Sequence, residues 1–319
     1  MKICLTGAGY SARHLSQLAE NHFEITHKTE HVTKNELQAI LPQFDAYVLG
    51  GDERLTKDEL AIAKKLRIIS FVGTGYTSFI DDVSAKQQNI AIRNTPAVMA
   101  PAVAEHTIGL LIGLQRKLFQ QNWEIKNSCL SPVCTEELSA LRVGIIGLGE
   151  IGSRIARILR QSFGSEVLYA SRTRKKSLET ELSIEFVSMD TLFCSADIII
   201  LSLPTNHETE YFINESILEK MKVGVILINT AGARLIDPAA LKKFIDKNKT
   251  ATVAFDGYYI EPLPTVAEDP FQLLSLPDDR FIVTPHTAAK TSQSWQRMID
   301  MAINNIIQFF NEQPHAPIR

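Results

Sequence analysis

The chain has 319 residues, of which 45% are hydrophobic and 22% charged, with a net charge of −3. That length suggests about two domains, and the composition excludes a mainly disordered chain. No basic excess points to nucleic acid or an anionic membrane, no apolar run is long enough to span a bilayer, and the cysteines (Cys4, Cys129, Cys134, Cys194) are too scattered for a disulfide framework or a metal site. The expectation is a cytoplasmic two-domain protein, most simply an enzyme, with no bound metal.

Short apolar runs alternate with amphipathic stretches from the first residues onward. Residues 2–6, 45–49, 67–72 and 90–93 are predicted strands, bounded by Gly, Asn and Pro. Helical patterns lie between them at 13–21, 57–65 and 81–88. Repeated strand–helix units imply a parallel sheet covered on both faces. Asn94-Thr95-Pro96 closes this block. A long helix is then predicted from Pro101 to about Trp123, with Val103, Ile108, Leu111, Ile112, Leu114 and Leu118 on a broad apolar face. It reads either as an ordinary core helix or as a brace between domains or subunits. Residues 127–135 read as a loop containing Pro132. A second series starts at Leu141, with predicted strands at 142–146, 166–170, 197–203, 223–229, 252–255 and 281–284, and residues 291–311 form a final amphipathic helix.

Two glycine loops follow predicted strands. Gly147-Leu148-Gly149-Glu150-Ile151-Gly152 lies between a strand and a helix, which is the full context of a dinucleotide fingerprint. The first glycine permits the tight turn, the second lets the backbone approach a pyrophosphate, and the third allows close helix–strand packing. Gly7-Ala8-Gly9-Tyr10-Ser11-Ala12 fits a looser form, with bulky Tyr10 beside the phosphate path. It reads as a tight turn in the other domain.

The residue that selects between NAD and NADP falls about 20 positions after the third glycine. Here the second strand ends at Ser171-Arg172-Thr173-Arg174-Lys175-Lys176, without a carboxylate. An Asp would hold a ribose 2′-OH and repel a 2′-phosphate. Ser171, Arg172 and Thr173 favour the phosphate, because a guanidinium pairs well with it. The expected cofactor is therefore NADP(H), with NAD(H) as the alternative.

Beyond this loop, Leu203-Pro204, Ile228-Asn229-Thr230-Ala231, Ala254-Phe255-Asp256, Glu261-Pro262 and Thr284-Pro285-His286 occur in order. With Val72-Gly73-Thr74-Gly75, Asn94-Thr95-Pro96 and Val103-Ala104-Glu105, they resemble the D-isomer-specific 2-hydroxyacid dehydrogenase family over nearly the whole chain. The resemblance implies an α/β fold of two doubly wound parallel-sheet domains. A Rossmann nucleotide-binding domain, residues 99–288, would be inserted in a flavodoxin-like substrate domain, residues 1–98 plus 289–319. It implies a substrate cleft between them and a homodimer formed through the nucleotide domain and its long helix. It implies hydride transfer between a nicotinamide cofactor and a small 2-oxo or 2-hydroxy acid.

His286 matches the family's acid/base. A carbonyl needs a proton on oxygen as hydride reaches carbon, and an imidazole can supply and recover it near neutrality. Glu261 matches its carboxylate partner. Gly73 and Thr74 match the substrate loop through their backbone N–H groups. Asp256 matches a position near the nicotinamide amide, Thr230 and Ala231 the nicotinamide ribose side, and Pro204 the adenosine half.

One position departs. Where the family has Asn-Thr-Ala-Arg-Gly, this chain has Asn229-Thr230-Ala231-Gly232-Ala233-Arg234, so Gly232 replaces the substrate-binding Arg. Three readings follow: Arg234 takes over the substrate carboxylate, other groups such as the Gly73–Thr74 backbone hold it, or dehydrogenase activity is lost. The last would make the chain a dinucleotide-sensing binding protein, as in the corepressors that share the resemblance.

Overall fold

The computed structural model describes residues 1–129 and 132–312. Leu130 and Ser131, in the predicted 127–135 loop, and residues 313–319, in the predicted last segment of the substrate domain, lie outside them. The chain forms two compact units, Met1–Met99 together with the segment from Thr291 onward, and Ala100–Lys290.

The first unit holds a parallel sheet of β1 (Lys2–Thr6), β2 (Glu24–Lys28), β3 (Ala46–Leu49), β4 (Ile68–Phe71) and β5 (Ala91–Arg93), in the order β2-β1-β3-β4-β5. This is the flavodoxin-like order. β3 and β4 are buried at every position, as strands covered on both faces must be. The helix Ser292–Glu312 lays Met298, Ile299, Ala302, Ile303, Ile306 and Phe309 against Ile3, Leu5, Val48 and Ile68. Its apolar residues recur at helical spacing, so one face is core and the other wet.

Two elements of this unit carry no apolar run and were not expected. β2 reads Glu24-Ile25-Thr26-His27-Lys28 at the sheet edge. The helix Lys34–Ile40 starts from a capping box, in which Thr33 N donates to Glu36 Oε2 at 3.0 Å. The first glycine loop is closed by the unit's own last helix: Trp295 Nε1 donates to Ala8 O and Gln296 Nε2 to Gly9 O, each at 2.9 Å. The Trp295 ring stands where a Gly9 side chain would be.

The second unit holds β6 (Arg142–Ile146), β7 (Glu166–Ala170), β8 (Glu185–Phe186), β9 (Ile198–Leu201), β10 (Ile226–Asn229), β11 (Thr252–Asp256) and β12 (Phe281–Thr284). All pairs are parallel, in the order β12-β11-β10-β9-β6-β7-β8. The order reverses between β6 and β9, the switch point at which doubly wound sheets bind ligands beyond their carboxyl ends. Two predicted strands overrun the ladder. β9 stops at Leu201, before Pro204, and β10 starts only after an exposed Val223 and a left-handed Gly224.

The long helix predicted from 101 to about 123 is two helices, Ala100–Gln115 and Leu118–Lys126. The chain turns at Lys117, which has φ +52°. Phe119 folds back against Gly113, where any side chain would collide with its ring. Tertiary packing of that aromatic overrides the continuous apolar pattern. The second helix buries none of its residues, leaving Leu118, Trp123 and Ile125 exposed.

Candidate active site

The dinucleotide loop is built on the end of β6. Gly147 has φ +93°, and a Cβ there would strike the Ser202 carbonyl. A Cβ on Gly152 would strike the Gly147 carbonyl, so the helix approaches the end of the strand this closely only because residue 152 is glycine. Gly149 differs, because nothing lies within 4 Å of where its Cβ would stand. The helix Glu150–Phe163 starts without a side-chain cap, leaving the first N–H groups, of Glu150, Ile151 and Gly152, open. Ser202, whose carbonyl lies against Gly147, has a buried Oγ that is unpartnered among the described residues. An open glycine cradle, uncapped helix N–H groups and an orphaned hydroxyl fit a pyrophosphate.

At the end of β7, Ser171 Oγ donates to Thr173 O at 2.6 Å, which commits its proton within the turn. Arg174 is also committed. Its Nε and Nη2 bind Glu179 at 2.9 and 2.7 Å, and its guanidinium covers the Phe186 ring. Arg174 and the Tyr169 hydroxyl hold the Glu179 carboxyl down to about 2. Arg172 is different, with an 86% exposed side chain and a loose 3.7 Å approach to Glu208. Pro204 opens the loop that carries Glu208, and Thr209 Oγ1 donates to its carbonyl at 2.7 Å.

After β10, the Asn229 side chain folds the next turn around itself. Its Oδ1 accepts from Ala231 N and Gly232 N at 3.1 and 3.2 Å, and its Nδ2 donates to Gly232 O at 2.8 Å. Thr230 Oγ1 meets Thr107 Oγ1 at 2.9 Å. Thr107 already donates to Val103 O, so Thr230 is the donor. Gly232 has φ +143°, and a Cβ there would collide with Thr205 Oγ1. The family's Arg therefore has neither backbone nor space for it. Arg234, two residues on, is exposed and its Nη1 lies 3.5 Å from Glu210 Oε1.

β11 and β12 carry the acid/base candidates. His286 Nδ1 stands 3.0 Å from Glu261 Oε1 and 3.3 Å from Oε2. Both side chains are more than half exposed, at 68% and 51%, so a substrate can reach the ring. His286 itself has φ +53°, and the peptide Glu261-Pro262 is cis. Gly257 lies behind the pair, where a Cβ would press on Glu261 Oε1 at 3.1 Å and His286 Cγ at 3.3 Å.

Asp256, expected beside the nicotinamide amide, commits its carboxylate to the turn after His286. Oδ1 accepts from Thr287 N at 2.8 Å and Thr284 Oγ1 at 2.6 Å, and Oδ2 accepts from Ala288 N at 2.9 Å. Downstream of Glu261, the Asp269 carboxylate accepts from the N–H groups of Phe271, Leu273 and Leu274 and from Tyr258 Oη. Burial alone would raise Asp269, but these donors outweigh it and hold its carboxyl below the usual range.

Gly73 and Thr74 belong to the first unit. Gly73 N donates to Thr95 Oγ1 at 2.9 Å, so this expected substrate donor is already engaged. Thr74 N takes no partner among the described residues, while Asn94 Nδ2 holds Thr74 O at 2.8 Å. The two motifs, Val72–Gly75 and Asn94–Pro96, are one braced loop. Among the described residues, no group of three or more His, Cys, Asp or Glu side chains is placed to hold a metal, and no helix is long and apolar enough to cross a membrane.

Residues 108–288 match the family model for the D-isomer specific 2-hydroxyacid dehydrogenase NAD-binding domain. A hydroxypyruvate reductase of Thermotoga maritima is 34% identical over 285 residues, covering 89% of this chain and 90% of its own. The chain belongs to the D-isomer-specific 2-hydroxyacid dehydrogenases. A glyoxylate reductase of Pyrococcus furiosus is 30% identical, with 91% of this chain and 86% of that one covered. The solved pyruvate reductase of Chlamydomonas reinhardtii superposes with a TM-score of 0.80 at 25% identity, covering 98% of this chain and 96% of that one. As a family member, the protein is an NAD(P)-dependent oxidoreductase with a Rossmann dinucleotide-binding domain, and its two parallel-sheet α/β units are the dehydrogenase fold.

Sequence reasoning did not find Thr205, Glu210, Gly257, His106 or Thr107 in this dehydrogenase. Thr205 and Glu210 lie more than twenty positions from the residues they meet. Gly257 could have been suspected from its place directly after Asp256.

Proposed function

We propose that this dehydrogenase interconverts a small 2-oxo acid and its 2-hydroxy acid, with His286 as acid/base and Glu261 as its partner. The observation that carries the reading is the 3.0 Å pair of His286 Nδ1 and Glu261 Oε1 at the carboxyl edge of β11 and β12. Glu261 accepts from Nδ1–H, which fixes the tautomer and leaves Nε2 to face the carbonyl oxygen. Bound dinucleotide supplies the hydride for reduction or accepts it in the reverse direction. The names of the relatives, hydroxypyruvate and glyoxylate reductase, support a short 2-oxo acid as substrate.

The dinucleotide would be held by Gly147, Gly149, Glu150, Ile151 and Gly152 at its phosphates and by Pro204, Thr230 and Ala231 along its length. At the 2′ position we favour NADP(H), with Ser171, Arg172 and Thr173 around the phosphate and NAD(H) accepted more weakly. Arg172 is the guanidinium of the basic run that is not already tied to a carboxylate in close geometry. For the substrate carboxylate we favour Arg234 after release from Glu210, with the Thr74 N–H group as the alternative holder. We assign the first unit to substrate and the second to dinucleotide.

The second reading, a binding protein that senses dinucleotide without turnover, is favoured by one observation: Gly232 has no room for the family's Arg. A reductase screen with NADPH over 2-oxo acids, run beside His286→Gln, separates the two. We also propose a homodimer, with the helix Leu118–Lys126 in its interface, since this helix buries none of its residues and leaves Leu118, Trp123 and Ile125 exposed.

A further inference from the structure

The turn that carries His286 is tied to a second histidine. His106, on the helix Ala100–Gln115, places Nε2 3.0 Å from Thr284 Oγ1. Thr284 has one proton to give. It goes to Asp256 Oδ1 at 2.6 Å, a shorter and charge-assisted bond than the 3.3 Å alternative to Phe255 O. Nε2 of His106 must then be the donor, and its hydrogen bond orients the Thr284 hydroxyl toward Asp256. Asp256 is nearly fully buried, with a side chain 3% exposed, and His106 Nε2 lies 3.8 Å from its Oδ1, so the ring and the hydroxyl stand on the same carboxylate oxygen. From Asp256 the chain of bonds continues to Thr287 N and Ala288 N, the two residues directly after His286.

We propose that His106 is a positioning residue for the reaction: through Thr284 and Asp256 it fixes the backbone turn that aims His286. This rests on the acid/base reading of His286. The turn needs such a brace, because His286 sits at φ +53°, a conformation that costs a non-glycine residue free energy and persists only when neighbours hold it. His106 does not touch the reacting atoms in this scheme. It acts by removing freedom from the group that does.

The test compares His106→Leu, His106→Gln and Thr284→Val in the full chain. Leu removes the donor, Gln retains an amide N–H near the Nε2 position, and Val removes the hydroxyl between the two elements. The expected result is a loss of kcat of about tenfold or more in His106→Leu, from one lost bond to a charge-coupled network. KM for the 2-oxo acid and Kd for NADPH should stay within about threefold, and His106→Gln should recover most of kcat. In a double-mutant cycle, His106→Leu should add little to Thr284→Val, because both break one relay. Amide exchange at Thr287 and Ala288 should accelerate in His106→Leu, a readout that needs no turnover. Additive losses, unchanged exchange, or wild-type kcat in His106→Leu would overturn the proposal. If exchange responds as expected but His286→Gln keeps full activity, the positioning stands and the acid/base reading is what fails.

Discussion

Glu261 Oε1 accepts a 3.0 Å hydrogen bond from His286 Nδ1 across the open side of Gly257. The two side chains come from segments 25 residues apart and meet because β11 and β12 are parallel neighbours. Replacing Glu261 with Gln keeps the shape and removes the charge, at the cost of a charge-assisted bond. A kcat loss of about 10–100-fold follows, with little change in dinucleotide affinity. Steady-state kinetics beside NADPH titration by protein fluorescence checks it. Equal losses in kcat and dinucleotide affinity would point to a folding role instead.

Position 232 gives a prediction that runs against simple family repair. Restoring the family's side chain with Gly232→Arg should not improve activity, because the residue has φ +143° and its Cβ would meet Thr205 Oγ1. We expect a loss of roughly 1–3 kcal/mol in unfolding free energy and lower turnover, measured by denaturant melts and kinetics. Arg234→Ala should instead raise KM for the 2-oxo acid by about tenfold or more, the effect of losing a charge-assisted contact.

Cofactor choice is expected to depend on Arg172 rather than Arg174. Arg172→Ala should weaken NADPH several-fold to tenfold and leave NADH nearly unchanged. Arg174→Ala should act mainly on stability, since its guanidinium is bound to Glu179 and covers Phe186. Titrations with both cofactors decide it, and tighter binding of NADH by the wild type would reject the NADP(H) preference.

Acid should loosen the segment between Glu261 and β12. The Asp269 carboxyl is held below its ordinary value in the folded chain by three N–H groups and the Tyr258 hydroxyl, against the opposing effect of burial. Its contribution is therefore complete above the unfolded value near 3.9 and is lost as pH falls through the lower folded value. Melting temperature against pH should decline more steeply below about pH 4 in the wild type than in Asp269→Asn. Asp269→Asn should already be less stable at neutral pH by roughly 1–3 kcal/mol.

Much of this architecture was legible because buried parallel strands leave continuous apolar runs. Val143–Ile146 and Ile198–Leu201 are examples, and the glycines at 147, 149 and 152 sit where only a strand–turn–helix makes sense of them. β2 was not legible, since an edge strand needs no apolar run, and neither was the break at Lys117, which depends on where the Phe119 ring packs. In the site, His286 and Glu261 could be named from the ordered motifs. That Gly73 N–H is engaged by Thr95, that Arg234 faces Glu210, and that Asp256 serves the His286 turn all depend on contacts between distant segments.

The most direct test of the acid/base assignment is NADPH oxidation by wild type and His286→Gln over glyoxylate, hydroxypyruvate and pyruvate, with cofactor binding measured separately. The wild type should turn over at least one of these acids, and the variant should lose about 10²–10⁴-fold at unchanged NADPH affinity. Full turnover in His286→Gln, or tight NADPH binding by the wild type with no turnover of any 2-oxo acid, would contradict the assignment.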